Sequence, residues 1–385
     1  MLVKWRIVIA FNLIITLYFY FTITNHIPPI TRAPMNKTNS ITLSTELPEF
    51  ETSQPLLPCI YVCDKNNGNG MGEMRSIFGS ILPEYTFVEL NNPTWNEPSS
   101  NSYDIFIAKE GKICDNKKVD LWLFYKFKGR IIVHSPESPR IFPSKSKDGI
   151  HYFGPILEER PGKDLILTYL QTTWHWKFQK EFPTTFMTNP ALRPRSDMTH
   201  FMIYSNSNCV EFREEIAGRL SQISDLHCGG KCQGIAKDRT NLTHVDTKVT
   251  LRNWSDNTRI NKQYRFCLVL EHEKDHASYI TEKILMAFIA GCIPVYWGPE
   301  LIFDLFNRKS FIFYNITNPQ PSLDQVRELE SDAEKYNAML AEPIAANGDK
   351  TIEKYFSFDD NVGGGALKKK IRKMLGVEKI RSVSV

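Results

Sequence analysis

Lys283 sits where a cation is costly unless it meets an anion. In Tyr279-Ile280-Thr281-Glu282-Lys283 it falls in the first turn of an expected helix, opposing the macrodipole among amides that themselves attract anions. A phosphate facing the lysine would remove the conflict. Beside it, Glu282 offers a carboxylate to ribose or sugar hydroxyls, and Tyr279 offers a ring that stacks on or hydrogen-bonds to a nucleotide. The alternative is that Glu282 only complements the dipole and Lys283 is solvated, and spacing alone does not separate the two. A second chemical group is Glu137, in Ser135-Pro136-Glu137-Ser138-Pro139-Arg140. Two prolines make a stiff loop directly after an expected strand, where open parallel sheets carry their ligand-binding residues.

These groups need strands that end in loops, and the sequence supplies them. Apolar runs at Ile60-Tyr61-Val62, Thr86-Phe87-Val88-Glu89-Leu90, Tyr103-Asp104-Ile105-Phe106-Ile107-Ala108 and Arg130-Ile131-Ile132-Val133-His134 alternate with helical stretches, the pattern of a parallel sheet in an α/β domain. A second series has Phe201-Met202-Ile203-Tyr204, a helix to about Leu220, Phe266-Cys267-Leu268-Val269-Leu270 and Ile293-Pro294-Val295-Tyr296-Trp297. Between the last two, the spacing of Ile280, Ile284, Leu285, Phe288 and Ile289 predicts a helix from near Ser278 with a core-facing stripe. The fold class is therefore α/β, with two domains, residues 58–194 and 195–356, facing a cleft. The Gly68-Asn69-Gly70-Met71-Gly72 run fits a dinucleotide fingerprint poorly and reads as a loop. Residues 357–385, with Gly363-Gly364-Gly365 and Lys368-Lys369-Lys370, read as a linker and a basic, solvated final helix.

At 385 residues the chain has room for about two domains of roughly 100–200 residues each. A net charge of +4 without a dominant basic run sets nucleic acid aside. Residues 7–23 are almost unbroken apolar sequence behind Lys4 and Arg6, and Asn25-His26-Ile27-Pro28-Pro29 is a poor cleavage site. That reads as an uncleaved transmembrane signal anchor, with a cytoplasmic tail at 1–6 and a lumenal chain from Thr24. Its short length suits a thin early-secretory bilayer. Residues 24–57, rich in proline and small polar residues, read as a flexible stem. Eight cysteines and glycosylation sequons at Asn36, Asn241, Asn253 and Asn315 fit the lumen. The spacings Cys59 to Cys63 and Cys228 to Cys232 fit disulfides or buried thiols better than zinc.

Tyr279 to Lys283 followed by Ala290-Gly291-Cys292-Ile293-Pro294-Val295-Tyr296-Trp297-Gly298-Pro299 resembles the donor-binding signature of the α1,3/α1,4-fucosyltransferase family. The resemblance is firm over about residues 195–345 and patchy before them. It implies the GT-B arrangement of two Rossmann-like domains, with acceptor groups in the first and GDP-fucose in the second. Carried over by position, Glu271 matches the family's strand-end glutamate, although Leu270-Glu271-His272 stands where the family has Phe-Glu-Asn. Asn206 follows Ser205 at a strand end, Arg213 in the next helix presents a planar fork to the diphosphate, and Lys231, in Gly229-Gly230-Lys231-Cys232, is a further phosphate partner. Glu137 matches the general base of the family's Glu-Ser-Pro motif. The family's Tyr-Arg-x-Asp-Ser-Asp segment is reduced here to Thr168-Tyr169-Leu170-Gln171-Thr172-Thr173, which keeps only the tyrosine.

Inverting glycosyl transfer needs one base to take the acceptor proton and positive groups to hold the departing diphosphate. Glu137 is placed to be the base, and donor binding falls to Asn206, Arg213, Lys231, Glu271, Tyr279, Glu282 and Lys283. No Asp-x-Asp ends a strand, so no metal is required, and a divalent cation (Mn²⁺ or Mg²⁺) is at most stimulatory. The expected partners are GDP-fucose, a glycan acceptor on glycoprotein or glycolipid, and the Golgi membrane through the N-terminal helix. Expected transfer is to O3 of N-acetylglucosamine. The other readings are a related transferase using a different nucleotide sugar, or a non-catalytic glycan-binding homologue. Trp174 and Trp176 lie close to the reduced segment, as sugar-stacking faces or as core.

Overall fold

Strand Arg130–His134 and strand Ile293–Trp297 have the bounds that the apolar runs predict, and they belong to two separate sheets. The computed structural model describes residues 57–63, 70–90, 96–109, 117–135, 150–156, 159–190, 194–234, 241–245, 257–272 and 278–378. The anchor at 7–23, the stem up to residue 56, Glu137 and the sequons at Asn36 and Asn253 lie outside the described residues. No helix among the described residues is long and apolar enough to cross a membrane.

The first sheet is built from β1 (Cys59–Val62), β2 (Thr86–Glu89), β3 (Ile105–Lys109), β4 (Arg130–His134), β5 (Ile150–Gly154) and β6 (Asp164–Ile166), with α1 (Gly70–Ile81) and α2 (Lys117–Tyr125) as crossovers. Its order is β2-β1-β3-β4-β5-β6, parallel throughout. The chain then passes through α3 (Tyr169–Thr173), a π-helical turn at Trp174–Phe178 and α4 (Thr184–Thr188).

The second sheet contains β7 (His200–Asn206), β8 (Leu226–Gly230), β9 (Leu242–His244), β10 (Tyr264–Leu270), β11 (Ile293–Trp297) and β12 (Ile312–Phe313) in the order β12-β11-β10-β7-β8-β9. Helices α5 (Glu211–Leu220), α6 (Asn257–Asn261), α7 (Lys283–Ala290) and α8 (Ile302–Leu305) connect them. Following these are α9 (Gln320–Ser331), α10 (Ala333–Leu340), α11 (Asp349–Tyr355) and α12 (Ala366–Met374).

β10 shows why these strands are apolar along their whole length. Alternate residues point to opposite faces, so Phe266, Leu268 and Leu270 join a core with Met202 and Tyr204, while Cys267 and Val269 join another with α7. A strand covered on both sides has no polar face to show. After β7 the chain builds outward through β8 and β9, then returns to lay β10 on the other side of β7. The two connections diverge between β7 and β10, and an open parallel sheet offers its ligand crevice at such a switch point, beyond the carboxyl ends of the strands.

Three expectations need correction. Gly70-Met71-Gly72 opens α1 instead of lying in a loop, because Met74, Ile77, Phe78 and Ile81 downstream give the helix a buried face. α7 begins at Lys283, not near Ser278. The preceding residues are held in a loop by Thr281, whose amide donates to Glu271 Oε1 at 2.8 Å. Third, the basic end of the chain is only partly solvated. Leu367 and Ile371 of α12 pack with Ile60, Ile77 and Phe78 in the first-sheet core, and Arg372 pairs with Glu84 at 2.7 Å. Lys369, Lys370 and Lys373 face out. The final helix thus returns to the first sheet, and Ile371→Ala is expected to lower unfolding free energy by about 2–4 kcal/mol in a denaturant titration. A change within error would mean that α12 does not dock in solution.

Candidate functional site

The ends of β7 and β8 are knitted by backbone. The carbonyl of Asn206 accepts from the amides of Lys231 (3.0 Å) and Cys232 (3.2 Å). Gly230 makes this approach possible: its φ is +81° and a Cβ there would lie 2.5 Å from the Asn206 carbonyl oxygen. A disulfide, Cys209–Cys232, ties together the loops that follow the two strands, and Cys267–Cys292 ties β10 to the end of α7. Asn206 is buried at 7 % exposure, and its Nδ2 has no partner among the described residues. Lys231 shares this junction through its backbone, but its side chain is exposed.

Arg213 lies in the first turns of α5 and is 2 % exposed. Its Nε donates to the Glu271 carbonyl and its Nη1 to the Asn208 carbonyl, both at 3.2 Å. Its Nη2 has no partner among the described residues. Burial pulls the guanidinium below its ordinary pKa while Glu271 opposes the shift. A buried guanidinium with an unused donor is suited to an anionic oxygen.

Glu271, just beyond β10, is fully buried. One carboxylate oxygen takes the amide of Thr281, the other takes its hydroxyl at 2.9 Å, and Lys283 Nζ stands 3.7 Å from Oε2. Lys283 also donates to Thr281 Oγ1 at 3.1 Å. The lysine is therefore oriented by a buried carboxylate and hydroxyl instead of extending into solvent. Gly298 permits this packing, since a Cβ there would meet Tyr296 Oη and Glu271 Cγ. Arg213 and Lys283 converge on Glu271 at the start of a helix, where unpaired backbone amides add further donors, an arrangement suited to an anion.

A cavity of about 380 Å³ opens beside this cluster, within the range of small-molecule sites. Asn206, Glu282 and Lys283 line it. Arg213 and Glu271 adjoin through the bonds above, and Tyr279, 7 % exposed, lies close enough to Arg213 to raise its pKa. The donor residues expected from the sequence thus converge, except the Lys231 side chain. Asn257 and Asn261 also line the cavity. They were not legible in advance, since asparagines in a short helix before a strand carry no pattern.

The first sheet meets this loop at the ends of β4 and β5. Ser278 Oγ donates to the Ile156 carbonyl at 2.6 Å, and the Leu170 amide donates to the Ile280 carbonyl at 3.1 Å. Ser135, which follows β4, is fully buried and its amide bonds the Phe153 carbonyl of β5. Glu137, two residues further along the chain, lies outside the described residues. Thr168 to Thr173 is built into packing: Thr168 and Gln171 form a capping box, and Gln171 Nε2 reaches the Tyr355 carbonyl at 2.7 Å. Trp174 is fully buried against Phe356, so it is core.

Asn241 and Asn315 are exposed, and Asn315 Oδ1 accepts from the amide and hydroxyl of Thr317 within its own sequon. Cys209, Glu214 and Cys232 lie close enough to suggest metal ligands. The cysteines are joined as a disulfide and Glu214 is taken up by Tyr204 Oη and the amides of Gln233 and Gly234. Cys63 is also disulfide-bonded, whereas Cys59 and Cys228 are free thiols.

Residues 193–341 match the family model described as glycosyltransferase family 10 (fucosyltransferase) C-term. An α-(1,3)-fucosyltransferase B of Drosophila melanogaster is 35 % identical over 168 residues, covering 41 % of this chain and 36 % of that protein. The curated relatives are matched over 17 % to 36 % of their length. Among solved structures, an α1,3-fucosyltransferase has a TM-score of 0.54 at 15 % identity, covering 86 % of this chain and 94 % of its own. The same type of enzyme solved with GDP-fucose has a TM-score of 0.51 at 16 % identity, covering 89 % and 95 %. At that identity the likeness establishes a shared fold.

Proposed function

We propose, from the premise that residues 193–341 carry the C-terminal domain of the family 10 fucosyltransferases, that this chain transfers L-fucose from GDP-fucose to a glycan hydroxyl with inversion. The observation that carries the reading is the Arg213–Glu271–Lys283 cluster. It lies inside the matched domain, at the switch point of its sheet, beside a cavity of about 380 Å³.

In the proposed mechanism Arg213 and Lys283 hold the diphosphate and Glu282 takes ribose hydroxyls. Glu137 accepts the proton of the acceptor hydroxyl as its oxygen attacks the anomeric carbon. The bond from that carbon to the β-phosphate oxygen breaks, GDP leaves with the electron pair, and the β-linked donor becomes an α-linked product. Fixed cations that meet the charge developing on the diphosphate lower the barrier without rearranging. The acceptor position is O3 of N-acetylglucosamine on a glycoprotein or glycolipid. Residues 7–23 anchor the chain in the Golgi membrane with the described domains in the lumen, consistent with exposed sequons at Asn241 and Asn315.

Donor competition tests the choice of sugar nucleotide. The full chain in detergent, given equal GDP-fucose, GDP-mannose and UDP-galactose over an array of glycans, is expected to deposit fucose alone. Deposition of another sugar in its place would overturn the donor assignment.

A further inference from the structure

The cavity beside the Arg213–Glu271–Lys283 cluster is lined by residues of the second sheet, of α6 and of α7. Its lining includes the apolar residues Ile203, Cys267, Val269 and Met286 and the carboxamide-bearing Asn257 and Asn261. Asn261 is 9 % exposed, and neither asparagine has a hydrogen-bond partner for its Oδ1 among the described residues. A buried acceptor left unpaired is costly, and buried polar atoms in native folds are almost always paired. Here two such oxygens line the same cavity that Lys283 and Glu282 line. They are poised for a ligand that brings its own N–H donors.

We propose that Asn261, with Asn257 beside it, reads the nucleobase of the donor, and that the base it selects is guanine. The inference rests on the nucleotide-sugar reading of the site. With the diphosphate at Arg213 and Lys283 and the ribose at Glu282, the base is left to the part of the cavity lined by the asparagines. A flat heterocycle suits its apolar lining residues, and the pairing edge of guanine offers two neighbouring donors, N1–H and the 2-amino group, to the asparagine oxygens. Uracil has one ring N–H flanked by two carbonyls, so it would set acceptors against acceptors. Hypoxanthine keeps N1–H and lacks the amine, which makes inosine diphosphate the discriminating probe.

Calorimetric titration of the full chain in detergent with GDP, inosine diphosphate and UDP tests both levels. The wild type is expected to bind GDP at least about tenfold more tightly than inosine diphosphate, and UDP more weakly still. Asn261→Leu, similar in volume but without an acceptor, is expected to bring GDP down to the affinity of inosine diphosphate. Asn261→Asp, which keeps an acceptor oxygen in place of Oδ1, is expected to preserve the preference. If wild type prefers GDP and Asn261→Leu keeps the full ratio, the assignment of the asparagines is wrong and the donor reading stands. If wild type has no preference for GDP, the donor reading itself fails, and the inference with it. Should Asn261→Leu not fold, Asn257→Val at the half-buried position carries the same comparison, with an unchanged ratio again counting against the pair.

Discussion

Glu137→Gln is expected to lower kcat for fucosyl transfer by about 10²- to 10⁴-fold, the usual contribution of a positioned general base, while GDP affinity stays at the wild-type value. The amide keeps the size of the side chain and removes its capacity to take a proton. The expectation follows from where the chain leaves the first sheet. Ser135 is pinned to β5 by its amide, and β5 leads within two residues to Ile156, whose carbonyl receives Ser278 of the donor loop. Ser135, the last described residue before Glu137, therefore lies beside the strand that leads to the Ser278 loop. A steady-state assay with a separate GDP titration checks it. If kcat is unchanged, another group takes the proton. If GDP affinity falls in parallel, Glu137 holds the loop in shape and has no role as a base.

Lys283→Ala is expected to reduce kcat/KM for the donor by about 10²- to 10³-fold, comparable to removing one fixed charge-stabilising donor from an active site. The loss should appear in kcat as well as KM, because negative charge grows on the diphosphate as the sugar departs. Lys283 is suited to this because it is already oriented by Glu271 and Thr281, so little ordering remains to be done when substrate arrives. Lys283→Arg keeps the charge and loses the fit beside Glu271, so it should recover part of the activity. Equal activity in Lys283→Ala and wild type would remove the lysine from the phosphate site, leaving Arg213 and the helix start to bind it.

The second sheet and the Tyr279 to Lys283 segment were legible in the sequence because their signals are local. β11 and the end of α5 fall where apolar periodicity places them, and Tyr279 to Lys283 is one contiguous segment. The start of α7 was misplaced because Ile280 shares the helix spacing yet is buried through the loop, its carbonyl receiving the Leu170 amide from the segment that follows the first sheet. Short strands such as β6 and β12 give too few residues for a period to show. The docking of α12 was missed for a different reason. Its partners, Ile81 and Glu84, lie at the other end of the chain, and a run of lysines masks the two apolar positions that face them. Asn257 and Asn261 are informative only as unpaired atoms in a cavity, a property that no spacing encodes.

The most direct test of the central claim is mass spectrometry of N-acetylglucosamine-containing glycans incubated with the full chain and GDP-fucose, beside Glu137→Gln and Lys283→Ala. The expected result is the gain of one fucose with release of one GDP by wild type, largely lost in both variants. GDP binding without any transfer to any glycan, or transfer that both variants retain in full, would contradict a fucosyltransferase working through these residues.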